Sequence, residues 1–241
     1  IMKSLKLVIL FLILSYSNMN LSQKYDLKNL MGIDDSHIVG DTIKLEQNTL
    51  IAFNKMYEAA LEDGIDIKIV SGFRDFERQM LIWNSKYKKY TTEYKLSPTK
   101  AIEEIIRFST IPGTSRHHWG TEIDIIDASD EKYKDEEDVL LTEKYENGIF
   151  TKLKRWMDLN SERFGFYLTY VNDKNRKGFE YEPWHYSYKP VSVELLNIFI
   201  TNDIGSIIST TSMEGKEFIS KDFIQKYISE YVKGVNPILL P

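Results

Sequence analysis

The chain contains no cysteine. That excludes disulfides and a lipid-bearing N-terminal cysteine, so stability must come from the core or from a bound metal. Histidine is scarce too, with only four residues. Six prolines and twelve glycines in 241 residues leave no room for a low-complexity linker, and no internal repeat is found. Positive charge is not in excess, since 31 basic residues face 36 acidic ones and the two are interspersed. Without a basic stripe, nucleic acid is excluded as the expected partner. Beyond the first residues no apolar run reaches transmembrane length, so a mature chain with no membrane span is expected.

What is present begins with an export signature. Lys3 and Lys6 flank the start of an apolar run, Leu7 to Leu14, which ends in the small polar stretch Ser15 to Ser17. The run is too short to cross a bilayer and lacks the polar face of a core helix. Residues 1–22 are therefore expected to be a signal peptide, cut after Ser17 or Ser22, with the mature protein periplasmic or extracellular. About 220 residues then remain, enough for one sizeable domain, and a monomer is the expected state.

Apolar residues at Leu50, Phe53, Tyr57, Ala60 and Leu61 recur at helical spacing, and Asp63-Gly64 supplies a stop. Ile65, Ile67 and Ile69 alternate with Asp66 and Lys68, which predicts a strand running into Ser71-Gly72-Phe73-Arg74. Asp75 can cap a helix bearing Phe76, Met80 and Trp83, and Ser97-Pro98 opens another bearing Ile102, Ile105 and Ile106. Thr121 to Ile126 reads as a strand, and the acid-rich segment 127–148 as an inserted surface loop without the glycine and spacing of a calcium loop. A helix over 150–163, an extended aromatic segment over 179–188, and helices near 193–200 and 221–232 complete the pattern. Helices and strands mix without regular alternation, which predicts an α+β domain with a small antiparallel sheet flanked by helices. The expected organisation is a domain over 23–190 and a C-terminal helical extension, 191–241, packed on it.

Three of the four histidines fall in two motifs: Ser115-Arg116-His117-His118-Trp119-Gly120-Thr121-Glu122-Ile123-Asp124, and Glu182-Pro183-Trp184-His185. A catalytic zinc takes three nitrogen or oxygen ligands and keeps a fourth position for water. His117, entering a strand, Asp124 within it, and His185 on a later extended segment satisfy that set if the two segments pair antiparallel. Glu182 precedes His185 by three residues, so a turn at Pro183 aims its carboxylate at the attacking water as general base and later as acid. Arg74 is a fixed cation suited to the negative charge that develops on a carbonyl oxygen. His37, in a polar lead-in, reads as structural, and His118 as a residue behind or beside the site.

With these residues in place the chain resembles the VanY-type D-alanyl-D-alanine carboxypeptidases, relatives of the D-Ala-D-Ala dipeptidases and of the hedgehog signalling domain. The family pattern, Ser-Gly-Tyr-Arg, then Ser-x-His-x-x-Gly-x-x-x-Asp, then Glu-Pro-Trp-His, stands here in the same order, within a similarity running roughly from Leu50 to Tyr188. The resemblance implies a hedgehog or DD-peptidase-like fold, Zn2+ on His117, Asp124 and His185, Glu182 as base and Arg74 as transition-state contact. It also implies that Ser115 and Gln79 lie near a bound peptide, a peptidoglycan stem ending in D-Ala-D-Ala. Two positions depart from the pattern: Phe73 stands where tyrosine is usual, and Glu122 where a small residue is more common. Because positions 122 and 124 of a strand face the same side, Glu122 is expected to face the substrate and to select an amine or cationic group. The competing readings are a D,D-dipeptidase, a peptidoglycan endopeptidase, and a zinc-containing cell-wall binding module without turnover. Retention of both Glu182 and Arg74 argues against the last.

Overall fold

A computed structural model describes residues 24–241, so the expected export segment lies outside the described residues. The chain enters through a short helix, α1 (Leu27–Leu30), closed by a capping box between Asp26 and Asn29. A two-stranded ladder follows, β1 (Ile38–Val39) and β2 (Leu45–Glu46). The buried Glu46 carboxylate accepts from the Asn48 and Thr49 amides and so starts α2 (Gln47–Glu62), which carries the periodic apolar residues and ends at the Asp63-Gly64 stop.

The centre of the fold is a four-stranded antiparallel sheet in the order β3-β4-β6-β5, made of β3 (Ile67–Ser71), β4 (Glu122–Asp127), β5 (Phe166–Leu168) and β6 (His185–Tyr188). The expected mixed fold with a small antiparallel sheet is thus what forms. Between β3 and β4 run α3 (Phe76–Thr92), capped by Asp75, and α4 (Pro98–Ile105). Between β4 and β5 lie α5 (Thr142–Glu146) and α6 (Thr151–Asn160). After β6 come α7 (Lys189–Ile200), α8 (Ile204–Thr210) and α9 (Lys221–Tyr227).

Strand β4 is buried along its whole length. Its alternation sends Ile123 and Ile125 into a core shared with Phe53 and Met56 of α2 and Leu153 and Met157 of α6, and Glu122 and Asp124 to the other face. Apolar side chains on both flanks thus hold rigid a strand that carries two carboxylates. A second core joins Trp83 of α3, Ile102 and Ile105 of α4, and Trp119 to Leu195 and Phe199 of α7, Ile207 of α8 and Tyr227 of α9. Residues 191–241, packed on the rest of the domain, supply about half of the buried side chains of this core. No single helix among the described residues is long and apolar enough to cross a membrane, and the α7–α8 pair that passes jointly by length and composition is bent by 78°.

Three expectations change. Residues 127–148 are not simply a surface loop: they form a 3-10 turn and α5, bury Tyr145, and wall one side of the cleft described below. Helix α8 was not predicted, because its Ile-Gly-Ser-Ile-Ile-Ser-Thr sequence is poor in strong helix formers; Asp203 capping and burial of Ile204, Ile207 and Ile208 make it helical. In the aromatic segment only the last four residues are strand, and 179–184 is irregular.

Candidate metal centre

Ser115, in extended conformation, accepts from the His117 amide and opens a single 3-10 turn, Arg116–Trp119, that ends at Gly120 with φ 69°. Only glycine suits this position: a Cβ at 120 would stand 2.6 Å from the Glu46 amide nitrogen and 2.4 Å from Ile38 Cδ1. The same glycine carbonyl accepts from Glu46 N at 2.9 Å. The turn is in this way docked on the β1–β2 ladder, which sets the position of His117. On the sheet, Asp124 and His185 are direct antiparallel partners. The His117, Asp124 and His185 ligand atoms all lie within 4.8 Å of one another, the one such cluster among the described residues.

Each imidazole is fixed through its far nitrogen. His117 Nδ1 donates to the Gly72 carbonyl at 2.8 Å, leaving Nε2 3.3 Å from Asp124 Oδ2. His185 Nε2 donates to Glu122 Oε2 at 2.9 Å, leaving Nδ1 3.3 Å from Asp124 Oδ1. Asp124 Oδ1 is buried and accepts no hydrogen bond. Two nitrogen lone pairs and an uncommitted carboxylate oxygen, converging and backed by hydrogen bonds, fit a divalent cation of the zinc type. The electrostatics agree. Burial works against a charged His185, yet Asp124, Glu122 and Glu182 outweigh it and raise its pKa to about 10, so a cation bound at Nδ1 takes the place of the proton those carboxylates otherwise hold there. Burial likewise opposes ionisation of Asp124, but His117, His185 and Arg74 keep its carboxyl below the usual range. The pocket thus favours positive charge at the point where the ligands meet.

Glu182 reaches the cluster as its spacing predicts, with Oε2 3.0 Å from His185 Nδ1. Burial pushes its pKa up, and the contact with His185 moderates the rise, the direction that strengthens a general base. Arg74 does not pair with Asp75 or Glu77. Its Nη1 donates to Gln79 Oε1 at 2.8 Å, its Nη2 to Ser71 Oγ at 2.9 Å, and Nη2 stands 3.9 Å from Asp124 Oδ2. The three ligand side chains, Glu182, Arg74 and Ser115 all line one cleft of about 520 Å³.

Glu122 and Gln79 do not reach the cleft wall, and both are fully buried. Instead of facing a substrate, Glu122 also accepts from Arg116 Nε at 3.1 Å, Ser187 Oγ at 2.7 Å and Thr169 Oγ1 at 3.0 Å. Burial would raise its pKa, but Arg116, His185 and Ser187 bring it down to about 2. The strand periodicity places it correctly beside Asp124. What the periodicity does not reveal is that His185 and Arg116 fill the space in front of it. Gln79, besides holding Arg74, donates to the Thr110 carbonyl at 2.8 Å, so it is a support for the arginine.

His118 turns away from the cluster, donating from Nδ1 to the Arg74 carbonyl at 2.6 Å and accepting at Nε2 from Gly113 N. Its burial lowers its pKa to about 3, and it braces the Arg74 loop as a neutral ring. His37 packs edge-on against Tyr25 and Phe73, away from the cleft. Sequence reasoning missed Tyr170, whose ring meets His185 edge-on at 4.9 Å, and Lys86, which lines the cleft from α3. Neither belongs to a motif; the helical spacing of Gln79 and Lys86 was the one available signal for the lysine.

Residues 42–191 match the model of a family described as D-alanyl-D-alanine carboxypeptidase, VanY. A D-alanyl-D-alanine carboxypeptidase of Enterococcus faecalis is 33% identical over 138 residues, 55% of this chain and 44% of that one. The Bacillus subtilis carboxypeptidase-like protein YodJ is 27% identical over 154 residues, 64% of this chain and 48% of that one. The matches thus span less than half the length of these curated relatives. Among solved structures, VanYB in complex with D-alanine-D-alanine superposes with a TM-score of 0.50 at 24% identity, over 73% of this chain and 89% of that one, a likeness of fold.

Proposed function

The chain belongs to the VanY D-alanyl-D-alanine carboxypeptidase family, and from that premise we propose that it is a zinc-dependent hydrolase that removes the terminal D-alanine of peptidoglycan stem peptides. The observation that carries this reading is the convergence, in one cleft, of the His117–Asp124–His185 cluster with a buried carboxylate and a braced guanidinium. His117 Nε2, His185 Nδ1 and the Asp124 carboxylate would hold the ion. When bound, zinc supplies Lewis acidity that polarises the scissile carbonyl and brings water ionisation near neutral pH. Glu182 takes the proton of the attacking water on its carboxylate and returns it to the leaving amine nitrogen. Arg74, kept in place by Ser71 and Gln79, faces the negative charge that builds on the carbonyl oxygen. Ser115, at the mouth of the histidine turn, is the peptide-facing hydroxyl of this reading. The export segment read at residues 1–22 would carry the protein to where such peptides lie.

The test is incubation of the purified chain with a pentapeptide ending in D-Ala-D-Ala, with zinc and with a chelator. Chelator-sensitive release of free D-alanine is the expected result. Release of a D-Ala-D-Ala dipeptide, or scission of a cross-link in whole sacculi, would reassign the substrate, and zinc binding without any hydrolysis would reduce the protein to a binding module.

Glu122 enters this reading as a positioning residue, since it is the carboxylate behind His185. Glu122→Gln keeps the size and an acceptor but removes the charge that raises His185 as a ligand. Zinc affinity, read by competition with a chromophoric chelator, is expected to fall about 10- to 100-fold. Wild-type affinity in a folded variant would remove Glu122 from that role.

A further inference from the structure

Lys86 is seven residues after Gln79 on α3, two turns along the same face, and Ile82, one turn before it, also lines the cleft. Its Nζ donates to Ser109 Oγ at 2.6 Å. Ser109 is itself buried, its amide tied to the Ile105 carbonyl at 2.9 Å, so the lysine head is aimed by a rigid partner. An ammonium has three donors and no acceptor, and Ser109 takes one. Among the described residues no carboxylate lies within ion-pair distance of Lys86.

The two arginines that line the cleft already engage protein groups, with the buried Arg116 Nη1 left without a partner. Arg74 is held by Ser71, Gln79 and Asp124, and Arg116 by Glu122 and Ser187. Lys86 is also near the reacting groups. Burial lowers its pKa, while Glu182 and Asp138 support its charge and Arg74 opposes it; reciprocally, Lys86 stabilises the Glu182 carboxylate. A partly buried cation with free donors and no carboxylate in direct contact is a poised anion site, because nearby carboxylates offset only part of the cost of desolvating the ammonium.

We propose that Lys86, oriented by Ser109, is the anchor for the terminal carboxylate of the peptide substrate and so selects a free chain end over an internal bond. This rests on the carboxypeptidase reading above, in which that carboxylate is the one anion every substrate carries next to the scissile bond. Occupied, the site would pair the ligand carboxylate with the two donors that Ser109 leaves free. A chain extended beyond the leaving residue would instead place a neutral amide there and strand the charge.

The experiment compares the zinc-loaded wild-type chain, Lys86→Met and Lys86→Arg on a peptide ending in D-Ala-D-Ala as the free acid and as its C-terminal amide. Methionine keeps the apolar stem without the charge. For the acid, Lys86→Met is expected to lose at least about tenfold in kcat/KM, mostly through KM. The preference for the acid over the amide should collapse, any change that Lys86 makes through Glu182 falling on both peptides alike, and Lys86→Arg should retain most of the wild-type preference. Equal losses on acid and amide, or none, would overturn the proposal. A loss seen only with peptides bearing an acidic side chain upstream would give the lysine to that side chain and overturn the terminal assignment.

A second arm needs no turnover. Calorimetric binding of the acid and the amide is measured on the zinc-loaded Glu182→Gln chain with and without Lys86→Met. If the wild type hydrolyses neither peptide, the reaction assignment fails, yet a preference for the acid that disappears with Lys86 still upholds the anchor. Absence of that preference refutes it.

Discussion

Glu182→Gln is expected to lower kcat by roughly 100- to 10,000-fold, the usual range for loss of a general acid-base group, while zinc content and fold are retained. The reasoning starts from where the carboxylate sits. It is not one of the three side chains whose ligand atoms cluster within 4.8 Å, but it touches one of them, with Oε2 3.0 Å from His185 Nδ1. The turn that puts it there is closed by the His185 amide donating to the Glu182 carbonyl at 3.1 Å, a backbone bond that the substitution leaves intact. Glutamine has nearly the same shape and an acceptor oxygen, so a purely structural Glu182 would be replaced with little effect on rate. It cannot take up a proton at neutral pH, so a catalytic Glu182 would not. Metal analysis and circular dichroism guard against trivial loss, and steady-state kinetics on the D-Ala-D-Ala peptide supply the measurement. Turnover at the wild-type rate would remove Glu182 from the mechanism and require another group in the cleft to act as base.

The site was legible in the sequence where local spacing determines geometry. Glu182 and His185 share one tight turn, and Asp124 lies at a strand position that faces away from the Ile123 and Ile125 core. Their meeting requires β4 to pair with β6, and the antiparallel register sets Asp124 directly opposite His185. What stayed hidden depends on contacts between segments far apart in the chain. Glu122 shares a face with Asp124, as alternation demands, but whether that face meets solvent or protein is decided by Arg116, Thr169, Ser187 and His185. Lys86 looks like any helix-surface lysine until α3 is laid beside Ser109, 23 positions later. The 127–148 segment reads as solvated from its acidity, yet the few apolar residues in it, Tyr145 foremost, attach it to the core.

The fold shows the same division. Helices α2 and α3 follow from apolar periodicity and their caps, because both signals are local. Helix α8 does not, since its stability comes from burying Ile204, Ile207 and Ile208 against residues of α3, α4 and α9 rather than from helix propensity. Nor does the sequence show that the last fifty residues are half of a core. Trp83 and Trp119 share a core cluster with residues of α7 to α9, Trp119 meets the Phe199 ring at 5.9 Å, and the Trp83 indole donates to the Glu214 carbonyl at 3.0 Å. The histidine turn at 115–120 therefore rests on the C-terminal helices, although no residue of those helices belongs to a motif.

Arg74→Ala is expected to cost roughly 100- to 1,000-fold in kcat, as for loss of a preorganised oxyanion donor, with a much smaller change in KM. The size of the effect follows from how little freedom the guanidinium has. Its two terminal nitrogens are taken by Gln79 at 2.8 Å and Ser71 at 2.9 Å. Its backbone is pinned at both ends to the histidine turn, the Arg74 amide donating to the His117 carbonyl at 3.2 Å and His118 Nδ1 donating to the Arg74 carbonyl. Burial lowers its pKa, but Asp124 and Glu182 sustain the charge. A cation held in this way needs no reorganisation as the oxyanion forms, which is why its loss should appear in the rate and not in ground-state binding. Lysine keeps the charge but cannot span Gln79 and Ser71 together, so Arg74→Lys should recover only part of the activity, and Gln79→Ala should lie between wild type and Arg74→Lys. Should Arg74→Ala raise KM and leave kcat unchanged, the arginine would be a substrate clamp, and stabilisation of the oxyanion would have to come from elsewhere in the cleft.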